Sequence, residues 1–495
     1  MKKIFAKIGL SILAGLLITG CNDNDDNEIN TGSGGTNQDV NKFVWAGLNS
    51  WYNWQGEQPL LADSYKGTAA YNNYINTFKP TDFFDALTLS SKDRFSWIVE
   101  DYVALENSFA GNYQSYGFES GLSRIPNGSK DVIGYVQYVI PNTPAAAAGL
   151  KRGDMFISIN GQKLTNSNVY DLLDSSTATF GLASINSSGA FVSNGKTITM
   201  SLADISENPV FLDRVITTTN GTKVGYLVYN SFTSNYHQEL NDAIGRLKAG
   251  GATQFVLDLR YNGGGSVETS TYLASMITGQ FTNQTYCKLV FNSKHQAYND
   301  AYTFADKMNV YDKNDNVVSN NTAINHLNIT KLYVLVSNDT ASASEMIING
   351  LRPYIDMQLI GTHTAGKNVG SITLYDVPNN DFLRDDAKGM TPNPNHKYAM
   401  QPLVFSIFNK NNWNDYGTEE GFTPDKIVNE WSYLGNIKPL GDINEPLLNT
   451  ALRAIDPTQP APSARLKTLN ISVTPFGSSK DLRPHSQEMY IRHLK

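Results

Sequence analysis

Three short segments of the sequence carry side chains that could do chemistry, and each one follows an apolar run. They cover residues 257–265, 340–345 and 361–367. Between them they supply hydroxyl groups, a carboxylate, a lysine amine and three consecutive glycines. A hydroxyl activated by a base is a nucleophile, and backbone N–H groups can stabilise an oxyanion. Because α/β proteins bind ligands at the carboxyl ends of parallel strands, the three segments form the candidate site.

Each segment also has a purely structural interpretation when it is considered alone. Ser342 and Glu345 have the spacing of a capping box before an apolar helix. The glycines at 263–265 could form only a tight turn, and Lys367 could be only a solvated cation. His363 could orient a substrate, although a single histidine is more often structural. None of these residues alone predicts a function.

The third segment also matches a phosphate-binding loop in part. Gly361, Gly366 and Lys367 have the spacing of that motif and follow a strand. However, Asn368 stands where a Ser or Thr must bind magnesium, and residues 369–375 have a β-like pattern rather than a helical one. The phosphates would therefore lack a helix N-terminus, which argues against nucleotide binding.

Several other classes of site are excluded by the sequence. No His-Glu-x-x-His or Gly-x-Ser-x-Gly motif occurs, and the seven histidines are scattered without the spacing of metal ligands. We therefore expect no metal and no cofactor. The net charge of −7 argues against a large nucleic-acid footprint, which needs clustered Lys and Arg.

The elements that must position the three segments alternate between strand and helix. Nearly continuous apolar runs predict buried strands at residues 224–229, 255–259, 332–336 and 359–360. Between the first two runs, the spacing of Leu240, Ala243, Ile244 and Leu247 predicts a helix that ends at Gly250. This alternation predicts an α/β domain.

The preceding region shows short strands and turns instead. Strands are predicted at 131–140 and 155–159, with a short helix at 143–150 between them and a hairpin at 160–161. The order and spacing resemble a PDZ domain. The resemblance implies that Tyr116, Gly117 and Phe118 form the loop that holds a peptide C-terminal carboxylate, although they could also be turn residues of an unrelated β-domain.

Taken together, the segments resemble the C-terminal processing, or tail-specific, serine proteases. Ser342 and Lys367 lie 25 positions apart in their Ala-Ser-Ala-Ser-Glu and Gly-Lys contexts, and a Gly-Phe-Thr-Pro-Asp run occupies residues 421–425. The domain order agrees with the family as well. The resemblance implies a ClpP/crotonase-like α/β core with an inserted PDZ domain and a small helical N-terminal domain.

The resemblance also implies a role for each residue of the site. Ser342 would be the nucleophile and Lys367 the base, with oxyanion donors from the N–H of Ala343 and from Gly263 or Gly264. A helix that begins at Ala343 would direct its dipole at the oxyanion. The family commonly has Gln four residues after the Lys, where this chain has Ser371. Ser371 or another polar group must then orient the amine. The alternative is a catalytically inactive peptide-binding lipoprotein.

The N-terminus predicts export and lipidation. Three lysines precede an apolar run at residues 8–18 that is short for a membrane span, as in a signal peptide. The following stretch up to Cys21 resembles a bacterial lipobox, although an ordinary cleaved signal is the alternative. Acylated Cys21 would anchor the chain in the cell envelope, at the outer membrane, on the periplasmic side or the cell surface. Cys287 would then be the remaining thiol, so no intrachain disulfide is expected.

The complete division of the chain follows from these patterns. We predict a signal peptide at 1–20, a lipidated tether at 21–40, a helical domain at 41–113, a PDZ domain at 114–206, a protease core at 207–455 and an extension at 456–495. The expected partners are polypeptides bound through their C-termini and the membrane, but not nucleic acid. The sequence predicts no oligomeric state, no particular substrate and no function for the extension.

Overall fold

The computed structural model describes residues 35–125, 130–313, 316–462, 473–483, 486–492 and 494. The predicted signal peptide, Cys21 and most of the tether lie outside these residues. Within them, no helix combines the length and the apolar character that a membrane crossing requires.

Helices and strands alternate along most of the described chain. The α-helices are α1 (Asn37–Trp51), α2 (Ala69–Thr77), α3 (Pro80–Leu87), α4 (Tyr102–Phe109), α5 (Pro144–Ala147), α6 (Val169–Leu173), α7 (His237–Ala249), α8 (Val267–Thr278), α9 (Ala343–Leu351) and α10 (Pro446–Ile455). The strands are β1 (Trp97–Val99), β2 (Asn112–Ser115), β3 (Phe118–Arg124), β4 (Val132–Val139), β5 (Met155–Ile159), β6 (Gln162–Lys163), β7 (Thr177–Ile185), β8 (Phe191–Ser201), β9 (Ala203–Ser206), β10 (Val210–Thr217), β11 (Lys223–Tyr229), β12 (Gln254–Asp258), β13 (Gly265–Ser266), β14 (Thr285–Phe291), β15 (Asp300–Thr303), β16 (Lys307–Tyr311), β17 (Val317–Ala323), β18 (Lys331–Val336), β19 (Asp356–Gly361), β20 (Val369–Ser371), β21 (Leu374–Tyr375), β22 (Ala399–Gln401), β23 (Leu403–Asn409), β24 (Lys426–Ile427), β25 (Thr474–Ser478) and β26 (Met489–Tyr490).

The chain forms two compact units, and the first is assembled from three stretches of sequence. Among the described residues it takes in 35–103, together with Asn292–Lys294 and Thr373–Leu403. α1 buries one face because its apolar residues recur at helical spacing, and the Thr36 hydroxyl caps its start by accepting the N–H of Asp39. Trp97, which we expected in a helical domain, lies instead in strand β1, which pairs with β22.

The second unit contains the β-rich region that resembles a PDZ domain. Its sheet has the strand order β25-β3-β4-β5-β7-β8, and β6 forms a hairpin with β5. The predicted strands at 131–140 and 155–159 are present as β4 and β5. The hairpin turn is formed by Asn160 and Gly161, whose φ angles of 51° and 75° match the left-handed conformation that this turn requires.

The α/β core of the second unit is built on a six-stranded sheet with the order β10-β11-β12-β18-β19-β24. The strands from β11 to β24 run parallel, and the central ones are almost entirely buried, as their apolar sequences predict. Helix α7 ends at Gly250 as expected. The three candidate segments follow the carboxyl ends of β12, β18 and β19, so they meet at one edge of the sheet.

A second six-stranded sheet has the order β13-β26-β20-β23-β14-β15. Its strand β26 comes from the extension, for which the sequence predicted no function. β26 lies between β13 and β20 and pairs parallel with each of them. Because it contains only two residues, no hydrophobic periodicity could have predicted it.

Candidate active site

Ser342 lies at the first turn of a fully buried helix, in a conformation that few side chains adopt. It precedes α9 and has a φ angle of 65°, which costs about 1–3 kcal/mol for a residue other than glycine. The residue is fully buried, and its Oγ has no hydrogen-bond partner among the described residues. A strained serine with an unpaired hydroxyl is suited to react rather than to stabilise the fold.

Glu345 connects Ser342 with Lys367. Its carboxylate accepts the backbone N–H of Ser342 at 2.9 Å, as the predicted capping box requires, and also the backbone N–H of Lys367 at 2.8 Å. The hydroxyl of Thr364 and the N–H of Gly366 donate to its other oxygen. Burial raises the pKa of Glu345, while these four hydrogen bonds favour the ionised form. The sequence predicted the first of these bonds and missed the other three.

The Lys367 amine is fully buried and contacts a segment that the sequence did not predict to be part of the site. Its Nζ donates to the carbonyl of Gln487 at 2.7 Å and forms an ion pair with Glu488 at 3.0 Å. Ser371, at the position where the resemblance implies Gln, donates from its Oγ to the same Glu488 oxygen at 2.7 Å. Glu488 had no signal in the sequence, since it lies in a stretch without periodicity.

The glycine run passes closely against Ser342 and the same distant segment. A Cβ on Gly264, whose φ angle is 110°, would lie 2.7 Å from the Cβ of Ser342 and 2.3 Å from the carbonyl oxygen of Glu488. The N–H of Gly264 donates to the Asn262 side chain, and the N–H of Gly265 donates to the carbonyl of Glu488 at 2.6 Å. Only glycine fits here. The oxyanion roles of Ala343, Gly263 and Gly264 stay predictions.

A buried cation holds the strand that leads into the glycine run. Arg260 is almost fully buried and donates through two nitrogens each to Asp258 and Glu445. Burial opposes its charge, but the two carboxylates raise the pKa of Arg260 well above its usual value. Glu445 also caps α10 by accepting the N–H of Leu448. This network of ion pairs therefore fixes the end of β12, which leads into the glycine run.

The remaining sequence candidates lie apart from this constellation or have other partners. The ring of His363 hydrogen-bonds the carbonyl of Glu420 at 3.1 Å. The residues after Lys367 form strand β20 and not a helix, which removes the helix N-terminus that a phosphate loop needs. Over the described part of the chain, no group of three or more His, Cys, Asp or Glu is arranged to hold a metal ion.

The loop predicted to bind a carboxylate precedes β3. Gly117 has a φ angle of 89°, and a Cβ on it would lie 2.1 Å from the Cβ of Thr143, so the position requires glycine. Its N–H donates to the hydroxyl of Ser115, while Tyr116 donates from its hydroxyl to the carbonyl of Ser175. The edge of β3 beyond Phe118 is paired with β25.

Comparison with known proteins identifies three regions of the chain. Three family models match: Peptidase S41 N-terminal domain at residues 39–97, PDZ domain at 135–179 and Peptidase family S41 at 223–396. The PDZ match lies within the predicted range of that domain.

Curated relatives with similar sequences include two processing proteases. A carboxyl-terminal-processing protease of Picosynechococcus sp. is 26% identical over 56% of this chain and 60% of its own length. A carboxy-terminal processing protease of Bacillus subtilis is 27% identical over 54% of this chain and 51% of its own length. The chain thus spans little more than half the length of these relatives.

One solved structure is similar to this chain over nearly its full length. It is a Bacteroides fragilis NCTC 9343 protein assigned to the S41 proteases, with 28% identity and a TM-score of 0.64. The match covers 84% of this chain and 98% of that one. With the domain matches and the geometry around Ser342 and Lys367, this likeness shows that the chain belongs to peptidase family S41 and carries a PDZ domain and the S41 N-terminal domain.

Proposed function

We propose that the chain is a serine endopeptidase in which Ser342 is the nucleophile and Lys367 is the general base. The observation that carries this proposal is the Glu345 carboxylate, which binds the backbone N–H groups of both residues at 2.9 and 2.8 Å. Residues 25 positions apart are thereby held at one place, at the start of α9. The unpaired hydroxyl of Ser342 and the complete burial of Lys367 support the same assignment.

The proposed reaction follows from the chemistry of these groups. A neutral Lys367 amine takes the proton of the Ser342 hydroxyl as Oγ attacks a peptide carbonyl. The N–H of Ala343, the start of α9 and the N–H of Gly263 stabilise the oxyanion, each good donor contributing roughly 3 kcal/mol. The N–H of Gly264 donates to the Asn262 side chain and would serve the oxyanion only after that bond breaks. The ammonium then gives its proton to the leaving amine, and water releases the acyl group by the same route.

We also propose that the PDZ domain selects polypeptides through a free C-terminal carboxylate, at the loop formed by Tyr116, Gly117 and Phe118. The anchoring of the chain in the cell envelope through acylated Cys21 is proposed with it. Support for the PDZ role comes from the family match and from the exclusion of side chains at Gly117 by Thr143. Such loops hold carboxylates with backbone N–H groups, next to a strand edge that binds the peptide.

Casein degradation by the full chain tests the catalytic proposal. Ser342→Ala and Lys367→Arg should each abolish turnover at an unchanged melting temperature, because alanine has no nucleophile and a guanidinium stays protonated. Lys388→Arg, at an exposed ion pair with Asp385, is the matched control and should retain full activity. Wild-type turnover by Lys367→Arg would place the base elsewhere, with His363 next to be tested.

Peptide binding tests the PDZ proposal separately from catalysis. Fluorescent peptides with a free or an amidated C-terminus are titrated against the Ser342→Ala chain. Tighter binding of the free carboxylate supports the proposal, and equal binding contradicts it. Peptide binding by a chain that degrades no casein, either intact or after residues 473–492 have been cut away, would instead identify a catalytically inactive peptide-binding protein.

A further inference from the structure

A segment far along the chain adds strands to two sheets of the second unit. It consists of residues 473–483 and 486–492, which we call the return segment. Its β25 pairs antiparallel with β3 at the edge of the PDZ sheet, and its β26 pairs parallel with both β13 and β20. Strand addition of this kind is how sheet edges bind extended peptides.

We propose that the return segment is an intramolecular peptide ligand, which occupies the site of Ser342 and Lys367 in place of substrate and keeps the enzyme inactive until displaced. The inference rests on the proposed function, and it identifies the cleft between β13 and β20 as the place where the substrate strand binds.

The main chain of the return segment is held by the residues of the site. The Lys367 amine donates to the carbonyl of Gln487 at 2.7 Å, and the N–H of Gly265 donates to the carbonyl of Glu488 at 2.6 Å. Carbonyl groups on consecutive residues are therefore bound as those of a peptide substrate would be.

The return segment also leaves no room for a second strand. Ser342 and Lys367 are both fully buried. A Cβ on Gly263 would lie 1.6 Å from the carbonyl oxygen of Ser486, so the two backbones are in direct contact. A substrate carbonyl can reach the Ser342 hydroxyl only after these residues have moved away.

The charge of Glu488 makes the return segment an inhibitor rather than a substrate. A lysine acts as a base only when its amine is neutral and free to take a proton. Here the amine is paired with a carboxylate that is 2% exposed, and Ser371 and the N–H of Met489 donate to the same oxygen. Such a buried, charge-assisted contact engages the amine with Glu488 and keeps it from taking a proton from the Ser342 hydroxyl.

The PDZ domain gives the return segment a second anchor. Phe476 and Leu482 pack against the core of that domain, and Arg483 forms a partly buried ion pair with Glu119 at 2.6 Å. The Ser479 hydroxyl accepts the N–H of Ser120 at 2.8 Å. Because both anchors belong to one chain, a polypeptide that takes the β3 edge weakens the contact at Lys367 as well.

The first test compares casein degradation by full-chain variants. Glu488→Gln removes the charge that engages Lys367 and should raise kcat/KM about tenfold or more. Glu419→Gln, at an exposed position, makes the same charge change and should have no effect. An unchanged or lower kcat/KM for Glu488→Gln overturns the proposal, since a carboxylate that positions the amine for catalysis would cause a decrease.

The second test does not depend on proteolysis. A recognition site for a sequence-specific protease is placed within residues 463–472, the folded full chain is cut, and the released part is removed by gel filtration. A fluorescent peptide of residues 473–492 is then titrated. Binding that weakens about tenfold or more with Glu488→Gln in the peptide supports the proposal, and absent or unaffected binding overturns it.

The two tests separate the possible failures. If no variant, cut or intact, degrades casein while the peptide binds as stated, the proposed function fails and the intramolecular ligand remains. If the intact wild-type chain is as active as the cut chain and Ser342→Ala abolishes both activities, the proposed function holds and the inhibitory ligand is refuted.

Discussion

Glu345 holds the two proposed catalytic residues by their backbones, through its side-chain carboxylate. Glu345→Gln replaces one accepting oxygen with an amide that donates, so two of its four buried partners lose their acceptor. We expect a loss of about 2–4 kcal/mol in the free energy of unfolding. A displacement near 1 Å at the site should lower kcat about 100-fold with little change in KM.

Urea denaturation and steady-state kinetics on a peptide substrate measure both effects. Glu419→Gln again serves as the exposed control. A Glu345→Gln variant with wild-type kcat would mean that the backbones of Ser342 and Lys367 keep their places without this carboxylate.

Asp339 gives the stability of the second unit a dependence on pH. Burial raises the pKa of Asp339 to about 6, and the negative charges of Asp481, in the return segment, and of Glu430 add to this rise. The hydrogen bond from Gln137 and the charge of Lys480 act in the opposite direction. The folded state thus binds this proton more tightly than the unfolded state, where the pKa is near 3.8. Its contribution is favourable at low pH and is lost as the pH rises through 6.

The difference in the free energy of unfolding between Asp339→Asn and wild type should therefore shift in favour of the variant as the pH rises from 4.5 to 7.5. We expect about 1–2 kcal/mol, less than the shift alone implies, because the side chain is partly exposed. Urea denaturation at the two pH values gives the difference, and a difference that is constant with pH would contradict this assignment.

Among the secondary-structure elements, β12 and α10 depend on the buried charge of Arg260. Arg260→Met keeps the volume of the side chain but leaves Asp258 and Glu445 without a cation. We expect a loss of about 3–5 kcal/mol in the free energy of unfolding, because two buried carboxylates become uncompensated. Arg246→Met breaks an exposed pair with Asp213 and should cost less than about 1 kcal/mol. Equal melting temperatures for the two variants would show that the buried network contributes little.

The elements predictable from sequence are those with a local cause. The strands β11, β12, β18 and β19 followed from apolar runs, and the start of α9 followed from its capping residues. β1 and β26 did not, because their backbone partners are supplied by residues hundreds of positions away. The sequence predicted Ser342 and Lys367 through a motif. It could not place Glu488 beside them, because this contact also joins distant parts of the chain.

For the whole chain, the sequence predicts attachment to a membrane through Cys21. Cys21→Ser removes the thiol that would be acylated, so the protein should move from the membrane pellet to the soluble fraction after ultracentrifugation of lysed cells. Stable anchoring needs two lipid signals, and one modified cysteine can carry several acyl chains. Sedimentation of Cys21→Ser with membranes would contradict lipidation as the anchor.

The path of the return segment has a length and a direction, and both restrict what the cleft can accept. Ser478, the last residue paired with β3, precedes Glu488 by ten positions. An extended chain of that length spans at most roughly 35 Å. A polypeptide that follows the same path presents to Ser342 a bond about ten residues after the stretch on the PDZ edge, and it must run in one direction. A tightly folded domain offers no such length of free backbone, so selection along this path depends on how much of a protein is unfolded.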